Sequence, residues 1–341
     1  MSNQPLVCIC IPNYNNEKTI RETLDSLVKQ TYKNIIIKIF DNASTDNSMP
    51  ILKEYKNKYQ NIQVFQNKIN IGGEGNFNKC IQNLEGEFGA LYHSDDIYEP
   101  TIVEEQVGFL LKRQECVAVS TDMNLIDENC NKLQQNVIKG LLLENNNYII
   151  VDNQIEMLKK VLEIGNFIVC PTVMMKTDIY KNKIKSYDVE NFRTAADLDL
   201  WFRTCEYGKF GTILKPLINY RQSSSSYTFR TKLSTNKSDG VYVVDYYYDK
   251  FKNKLSKSHK RKYKFFCFKD EVSKTVNQIL TNKREFDFKL SVFDYDIFIE
   301  SIKSTKNFKF IVVGIVVKLL RYFVLPGFLR EKLINMRFRR V

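Results

Sequence analysis

The chain has 341 residues, 43% of them hydrophobic, and a formal net charge of +12. That length and apolar content exclude a disordered chain and allow one large core with an appended region, or two domains. Its eight cysteines form no C-x-x-C pair, and only His93 and His259 accompany them, which argues against a zinc centre and for reduced thiols in a cytosolic protein. The start, Met-Ser-Asn-Gln-Pro, lacks the basic and apolar regions of a signal peptide, so the expected location is cytoplasmic. The charge is uneven. From Lys303 onward ten basic residues face Glu331 alone, a net of +9, which leaves +3 for everything before.

The apolar run 6-LVCICIP-12 ends in Pro12 and Asn13, as a buried parallel strand does, and 17-EKTIRETLDSLVKQ-30 repeats Ile20, Leu24, Leu27 and Val28 at helical spacing. A second cycle follows: strand 35-IIIKIF-40, a polar turn from Asp41 to Asp46, and a helix over 47–59. The third has a strand at 62-IQVF-65, a glycine-containing turn at 70-NIGGEGN-76 and a helix through Phe77, Cys80, Ile81 and Leu84. Strand 88-FGALYH-93 then leads into Ser94-Asp95-Asp96 and Pro100. Alternating strands and helices predict an α/β fold with an open, mostly parallel twisted sheet and helices on both faces. In such sheets ligands bind beyond the carboxyl ends of the strands. Asn13-Tyr14-Asn15, Asp41-Asn42 and Ser94-Asp95-Asp96 each follow a strand, so all three can converge on one rim.

The glycines of 72-GGEGNF-77 do not make a dinucleotide fingerprint. That fingerprint belongs in the first strand-to-helix turn, which here is Pro12-Asn13-Tyr14-Asn15, and no P-loop G-K-[ST] is present. They read as backbone freedom in a turn near a ligand. Asp95-Asp96 alone fits a solvated turn or a helix N-cap. At a strand end among other polar strand ends, however, two uncompensated carboxylates repel each other. Mg²⁺ or Mn²⁺ relieves this, taking one or two carboxylates and completing its shell with water and substrate phosphate. The expected partner is a nucleoside diphosphate.

In these motifs, Pro12-Asn13-Tyr14-Asn15, Asp41 to Asp46, the Asn70-to-Asn78 turn and helix with Gly72, and Ser94-Asp95-Asp96 with Pro100, the chain resembles the family 2 glycosyltransferases of the GT-A fold, from about residue 5 to about residue 225. The resemblance implies transfer of a sugar from a nucleotide donor with inversion. It places Tyr14 against the nucleobase, Asp41 or its neighbour Asn42 in hydrogen bonding to the base, and Asp95 and Asp96 on the ribose and the metal-bound diphosphate. His93 stands where many relatives carry an aspartate; packing is the favoured expectation for it, and weak ligation of the metal the alternative.

Inverting transfer needs a general base for the acceptor hydroxyl. The stretch 193-RTAADLDLWFRTCEYG-208 resembles the family's acidic helix. Leu198, Trp201, Phe202 and Cys205 form a core stripe on it, with Asp197 at the edge, one turn before Trp201. Asp199 lies about 200° around from Asp197, so the two cannot face one site. Asp197 is the expected base, the alternative being a first-turn residue favoured by the helix dipole. The family often has Glu before this Asp, where Ala196 stands here. Asn166, Pro171 and Thr172 in 165–180 resemble the segment bordering the acceptor, although a core strand with a turn fits equally. Tyr220-Arg221 resembles the family's tyrosine-arginine signature, but Gln222 and Ser223 stand where a histidine often follows. Arg221 and Arg230 are candidates for the diphosphate, and Trp201 for diphosphate or acceptor.

The expected organisation is a GT-A domain over 1–230, a helical, Lys- and aromatic-rich extension over 231–302, and a basic amphipathic tail over 303–341. On a tail helix Gly314, Lys318 and Arg321 share a stripe opposite Ile, Val, Leu and Phe, the pattern of a helix lying on anionic lipid. The alternative is a helix packed back onto the enzyme. A glycosyltransferase peripheral at the inner face of the membrane, acting on a saccharide or lipid-linked acceptor, is the leading expectation. A sugar-nucleotide nucleotidyltransferase and an inactive glycan- or membrane-binding relative are the alternatives. Nucleic acid is not an expected partner, because the basic charge is interleaved with aliphatic residues.

Overall fold

A computed structural model describes residues 4–142, 146–222, 233–283, 294–320 and 326–339. The chain forms two compact units, Met1–Met157 with Asn166–Gln222, and Leu158–Gly165 with Ser223–Val341.

The first unit is built on a ten-stranded sheet among the described residues. Its strands are β1 (Val7–Asn13), β2 (Ile35–Asp41), β3 (Ile62–Gln66), β4 (Phe88–Leu91), β5 (Ile97–Tyr98), β6 (Cys116–Ile126), β7 (Lys132–Gln134), β8 (Tyr148–Val151), β9 (Met174–Lys176) and β10 (Lys209–Arg221). The order is β3-β2-β1-β4-β9-β6-β10-β5, with β7 on β6 and β8 on β10. The pairs within β3-β2-β1-β4 are all parallel. Beyond β4 the sheet is mixed: β9 runs antiparallel to both β4 and β6, while β6 and β10 are parallel. The apolar runs of β1 and β2, the second interrupted by Lys38, which pairs with Glu85, suit the buried parallel block, where both faces of a strand are covered.

Four helices follow the early strands: α1 (Ile20–Val28), α2 (Ser48–Lys58), α3 (Gly72–Gln82) and α4 (Ile102–Lys112). Helix α3 begins earlier than the glycines suggested. Gly72 has a φ of 79°, its amide donates to Asn70 Oδ1 (2.8 Å), and Gly73 and Gly75 lie in the helix rather than in a turn. Side-chain bonding at the entry outweighs the low helix propensity of glycine. Helix α5 (Gln154–Ile164) precedes the segment that carries β9, and the short α6 (Val189–Phe192) leads into α7 (Ala196–Thr204).

Gly211 shows how closely α4 lies on the sheet. A Cβ there would stand 2.4 and 2.5 Å from ring carbons of the buried Phe109. Gly211→Ala is expected to cost about 1–3 kcal/mol through overpacking, read as a lower denaturation midpoint with an unchanged slope.

The second unit holds α8 (Asp239–Phe251), α9 (Lys257–Thr281), α10 (Tyr295–Ser301), α11 (Thr305–Leu320) and α12 (Gly327–Arg339). Ser256 caps α9 by accepting from the His259 amide (3.3 Å). Phe265, Phe268 and Val272 of α9, Ile297 of α10, and Ile311 and Val317 of α11 make one small core. The tail therefore shares its core with the preceding extension. Gly314 is buried and Lys318 half-buried, whereas Val312, Val313, Ile315, Val316 and Leu319 are exposed. Ile311, Gly314 and Val317 recur every three residues, so packing that edge of the helix inward turns the aliphatic side out. Arg321 of the expected stripe lies outside the described residues.

Candidate active site

The ends of β1, β2 and β4 meet as expected. Asn13 and Asp41 are register partners in adjacent parallel strands, and Asn13 Nδ2 donates to Asp41 Oδ1 (2.9 Å). Asp41 is wholly buried, and its two oxygens accept from Asn13, the Ser44 hydroxyl (2.6 Å), the Ser44 amide (3.0 Å) and Gln66 Nε2 (3.3 Å). It works first as the anchor of the 42–46 turn. Asn15 has a φ of 53° and ties to that turn, accepting from the Thr45 amide (2.8 Å). Between them Tyr14 stands 44% exposed, a free aromatic face above a rigid base.

Asn42 is not free for a nucleobase. Its Oδ1 accepts from Asn67 Nδ2 (2.9 Å) and the Ile71 amide (3.0 Å), and its Nδ2 donates to Asn70 Oδ1 (2.8 Å) and the Gly72 carbonyl (3.0 Å). An amide with two acceptor lone pairs and two donors is then fully used. Asn42 is corrected to an internal tie between β2 and the start of α3. Asn78 likewise accepts from the Tyr187 amide (3.0 Å), which places it under the site wall.

The 94–96 turn is held by α1 and by the segment before it. Asn16 Nδ2 donates to Ser94 Oγ, Thr19 Oγ1 to the Ser94 carbonyl (3.2 Å), and Thr23 Oγ1 to the Asp96 carbonyl (2.7 Å). Asp96 is 1% exposed; its Oδ1 accepts from the Arg221 amide (2.8 Å), and its Oδ2 has no hydrogen-bond partner. That oxygen lies 3.9 Å from His93 Nδ1, and His93 Nε2 is buried and unpartnered too. Ligand atoms from His93, Asp95 and Asp96 all fall within 4.8 Å of one another. Burial, reinforced by the Asp95 charge, pushes the Asp96 carboxyl well above its ordinary range, and burial lowers His93. Two carboxylates and an imidazole, with buried lone pairs unused, fit a divalent cation such as Mn²⁺ or Mg²⁺. His93 packs as expected, edge to face with Phe77 at 5.6 Å, and also presents a nitrogen to the acidic pair.

Asp197 opens α7. Its Oδ1 accepts from the Leu198 amide (2.7 Å), and burial pushes its carboxyl up to about 6. Asp199 is turned away and paired with Arg203 (2.7 Å), as the helix angle requires. Cys170, raised first by its own burial, also feels the Asp197 charge and, less strongly, that of Asp96. Its thiol lies 4.0 Å from the Tyr187 hydroxyl, and Tyr187 meets Phe77 edge to face at 5.6 Å. Cys170, Tyr187, Phe77 and His93 thus form a continuous wall between the acidic pair and Asp197. No sequence signal marked Tyr187, because its contacts with Phe77 and Asn78 come from a segment about a hundred residues away.

Three other expectations are corrected. Trp201 is wholly buried, edge to face with Phe210 at 5.8 Å, because its side of α7 packs on β10; it is a core residue and not an acceptor contact. Pro171 and Thr172 are buried in a 3₁₀ turn, where Thr172 Oγ1 accepts from the Thr121 amide (3.0 Å) and donates to the Val169 carbonyl (2.8 Å). They brace the site from within. Arg221 is 4% exposed with its guanidinium bonded inside the protein, so it does not face a diphosphate. Arg230 lies outside the described residues.

An open α/β sheet with a nucleotide-type rim and an acidic pair whose second member is buried defines a class of donor-binding transferases, and comparison with known proteins specifies the family. The model for Glycosyl transferase family 2 matches residues 8–183, and the chain belongs to that family. It is a glycosyltransferase, and its fold is GT-A. Glycosyltransferase EpsE of Bacillus subtilis (strain 168) is 30% identical over 72% of this chain and 82% of its own length. The poly(ribitol-phosphate) beta-glucosyltransferase of Bacillus spizizenii is 43% identical over a shorter stretch, 26% of this chain and 15% of its own. Among solved structures, S. aureus TarS 1-349 in complex with UDP-GlcNAc superposes with a TM-score of 0.54 at 17% identity, covering 94% of this chain and 95% of that one.

Proposed function

We propose that the protein transfers a sugar with inversion from a UDP-sugar to a hydroxyl of a saccharide or lipid-linked saccharide in the assembly of a surface polysaccharide. The observation that carries this reading is the buried, unpartnered Asp96 Oδ2 beside His93 and Asp95, on the same rim as exposed Tyr14 and joined by one wall to Asp197. The uridine ring stacks on Tyr14. Asp41 lies beneath it, where its 3.3 Å contact with Gln66 is the weakest of the four and the one a base N–H replaces. Asp95 and Asp96, with His93, would hold a divalent cation, which when bound would supply positive charge to neutralise the leaving diphosphate. The acceptor oxygen attacks the anomeric carbon while Asp197 takes its proton. The bond to the diphosphate oxygen breaks on the opposite face, and nucleoside diphosphate departs. A UDP donor is supported by the TarS complexes with UDP and UDP-GlcNAc, and a polymer acceptor by relatives named for poly(ribitol-phosphate) transfer.

The test is a panel of UDP-, GDP- and dTDP-sugars with Mn²⁺. Slow hydrolysis of a UDP-sugar is expected, and silence with UDP-sugars refutes the donor assignment.

Peripheral attachment to an anionic membrane belongs to the same reading. It is supported by the exposed aliphatic side of α11 and the net +9 of the tail. Among the described residues no helix is long and apolar enough to cross a membrane. Val313→Asp with Val316→Asp is expected to release the chain from phosphatidylglycerol vesicles in a flotation assay. Undiminished flotation of the double variant would remove α11 as the contact.

A further inference from the structure

Arg221 ends β10, and every nitrogen of its side chain is spent inside the first unit. Its Nε donates to the Asp95 carbonyl (2.9 Å), Nη1 to the Glu128 carbonyl (3.1 Å) and weakly to that of Asp127 (3.4 Å), and Nη2 to the Glu22 carboxylate of α1. Nη1 also lies 3.3 Å from the Cys130 thiol. Its backbone amide meanwhile donates to Asp96 Oδ1 (2.8 Å). Arg221 thus joins α1, the 127–130 turn and the end of β10 to the acidic pair, its guanidinium reaching Asp95 and its backbone amide Asp96.

This geometry has two consequences. The bond from the Arg221 amide occupies one Asp96 oxygen and leaves the other, Oδ2, aimed at His93. The bond from Nε fixes the backbone of Asp95, and so the direction from which its carboxylate approaches. Groups that hold a ligand in its binding orientation are worth about 10–100-fold in metal affinity. The forked, planar guanidinium is needed for this. A lysine ammonium keeps the charge but cannot reach the Asp95 carbonyl, the 127–128 carbonyls and Glu22 together.

We infer that Arg221 is a positioning residue for the Asp95–Asp96 cation site: a buried clamp that pre-orients both carboxylates from behind. The inference rests on the cation reading given above. It predicts that Arg221 acts on cation affinity before it acts on chemistry, and that Glu22, its exposed counter-ion, contributes in the same direction with a smaller effect.

The experiment is Mn²⁺ titration of the full chain followed by electron paramagnetic resonance, with thermal melting of each variant alongside. Arg221→Lys is expected to weaken Mn²⁺ binding about tenfold, and Glu22→Gln by less. Val107→Ala, a cavity in α4 away from the turn, is expected to lower the melting temperature and leave Mn²⁺ affinity unchanged. Wild-type Mn²⁺ affinity in Arg221→Lys overturns the clamp alone, as does equal weakening in Val107→Ala. If Arg221→Lys does not fold, Glu22→Gln decides, and an unchanged affinity there overturns the inference. No Mn²⁺ binding by the wild-type chain overturns the cation reading and the clamp with it.

Discussion

Replacing Asp197 by asparagine is expected to lower turnover by about 10²–10⁴-fold while leaving donor affinity close to wild type, because the amide cannot accept the acceptor's proton. Steady-state transfer measured beside UDP-sugar binding separates the two effects, and near-normal turnover would remove Asp197 as the base. The pH profile gives a second check. Burial raises this carboxyl from an ordinary 3.8 to about 6, so the base is progressively protonated below that value and turnover should fall on the acid side of about pH 6. The acid limb should vanish from whatever activity the asparagine variant retains. The stability consequence has the opposite sign. A carboxyl with a raised folded-state pKa binds its proton more tightly folded than unfolded, so it costs stability as pH rises through the window from 3.8 to about 6. Asp197→Asn should therefore melt higher than wild type at pH 7 and show no such gain near pH 3. Loss of activity with a gain in stability is the signature of a site strained for function, and an inert position would not give it.

Asp96→Asn is expected to abolish Mn²⁺-dependent hydrolysis of the donor, with an effect on metal affinity larger than the about 10–100-fold typical of groups outside the ligand shell. The orphaned Oδ2 is the reason, since it faces His93 with no proton donor to satisfy it. Adding Mn²⁺ should raise the melting temperature of the wild-type chain by mass action and leave that of the variant unmoved. EDTA should reproduce the variant's phenotype in wild-type protein. Persistent Mn²⁺-dependent stabilisation of Asp96→Asn would place the cation elsewhere.

Local pattern carried the first half of the molecule a long way. The apolar runs 7–13 and 35–41 are long enough and polar-capped enough to be read as buried parallel strands, and the residues after each are the ones that meet at the rim. Resemblance to the family's acidic helix brought Asp197 and Asp199 forward and helix angle separated them, and the pairing of Asp199 with Arg203 is the structural counterpart of that separation. Pattern misled where residue type suggests contact but tertiary packing decides exposure. Trp201, Pro171, Thr172, Asn42 and Arg221 stand in or near the motifs, and all are turned inward because neighbouring segments use their surfaces. The glycines at 72–75 looked like a turn because propensity is a weak prior, and the bond from the Gly72 amide to Asn70 at the helix entry overrode it.

Sequence by itself determined the parallel half of the sheet, the three polar strand ends and the adjacent acidic pair, because each depends on spacing within a few residues. Tertiary structure alone decided what depends on partners far along the chain. It built the wall of Phe77, Tyr187 and Cys170 beside His93, and brought Arg221 across 125 residues to lie behind Asp96. Burial made those choices: a polar group removed from water must find a partner wherever the fold supplies one, and chain distance plays no part in that requirement.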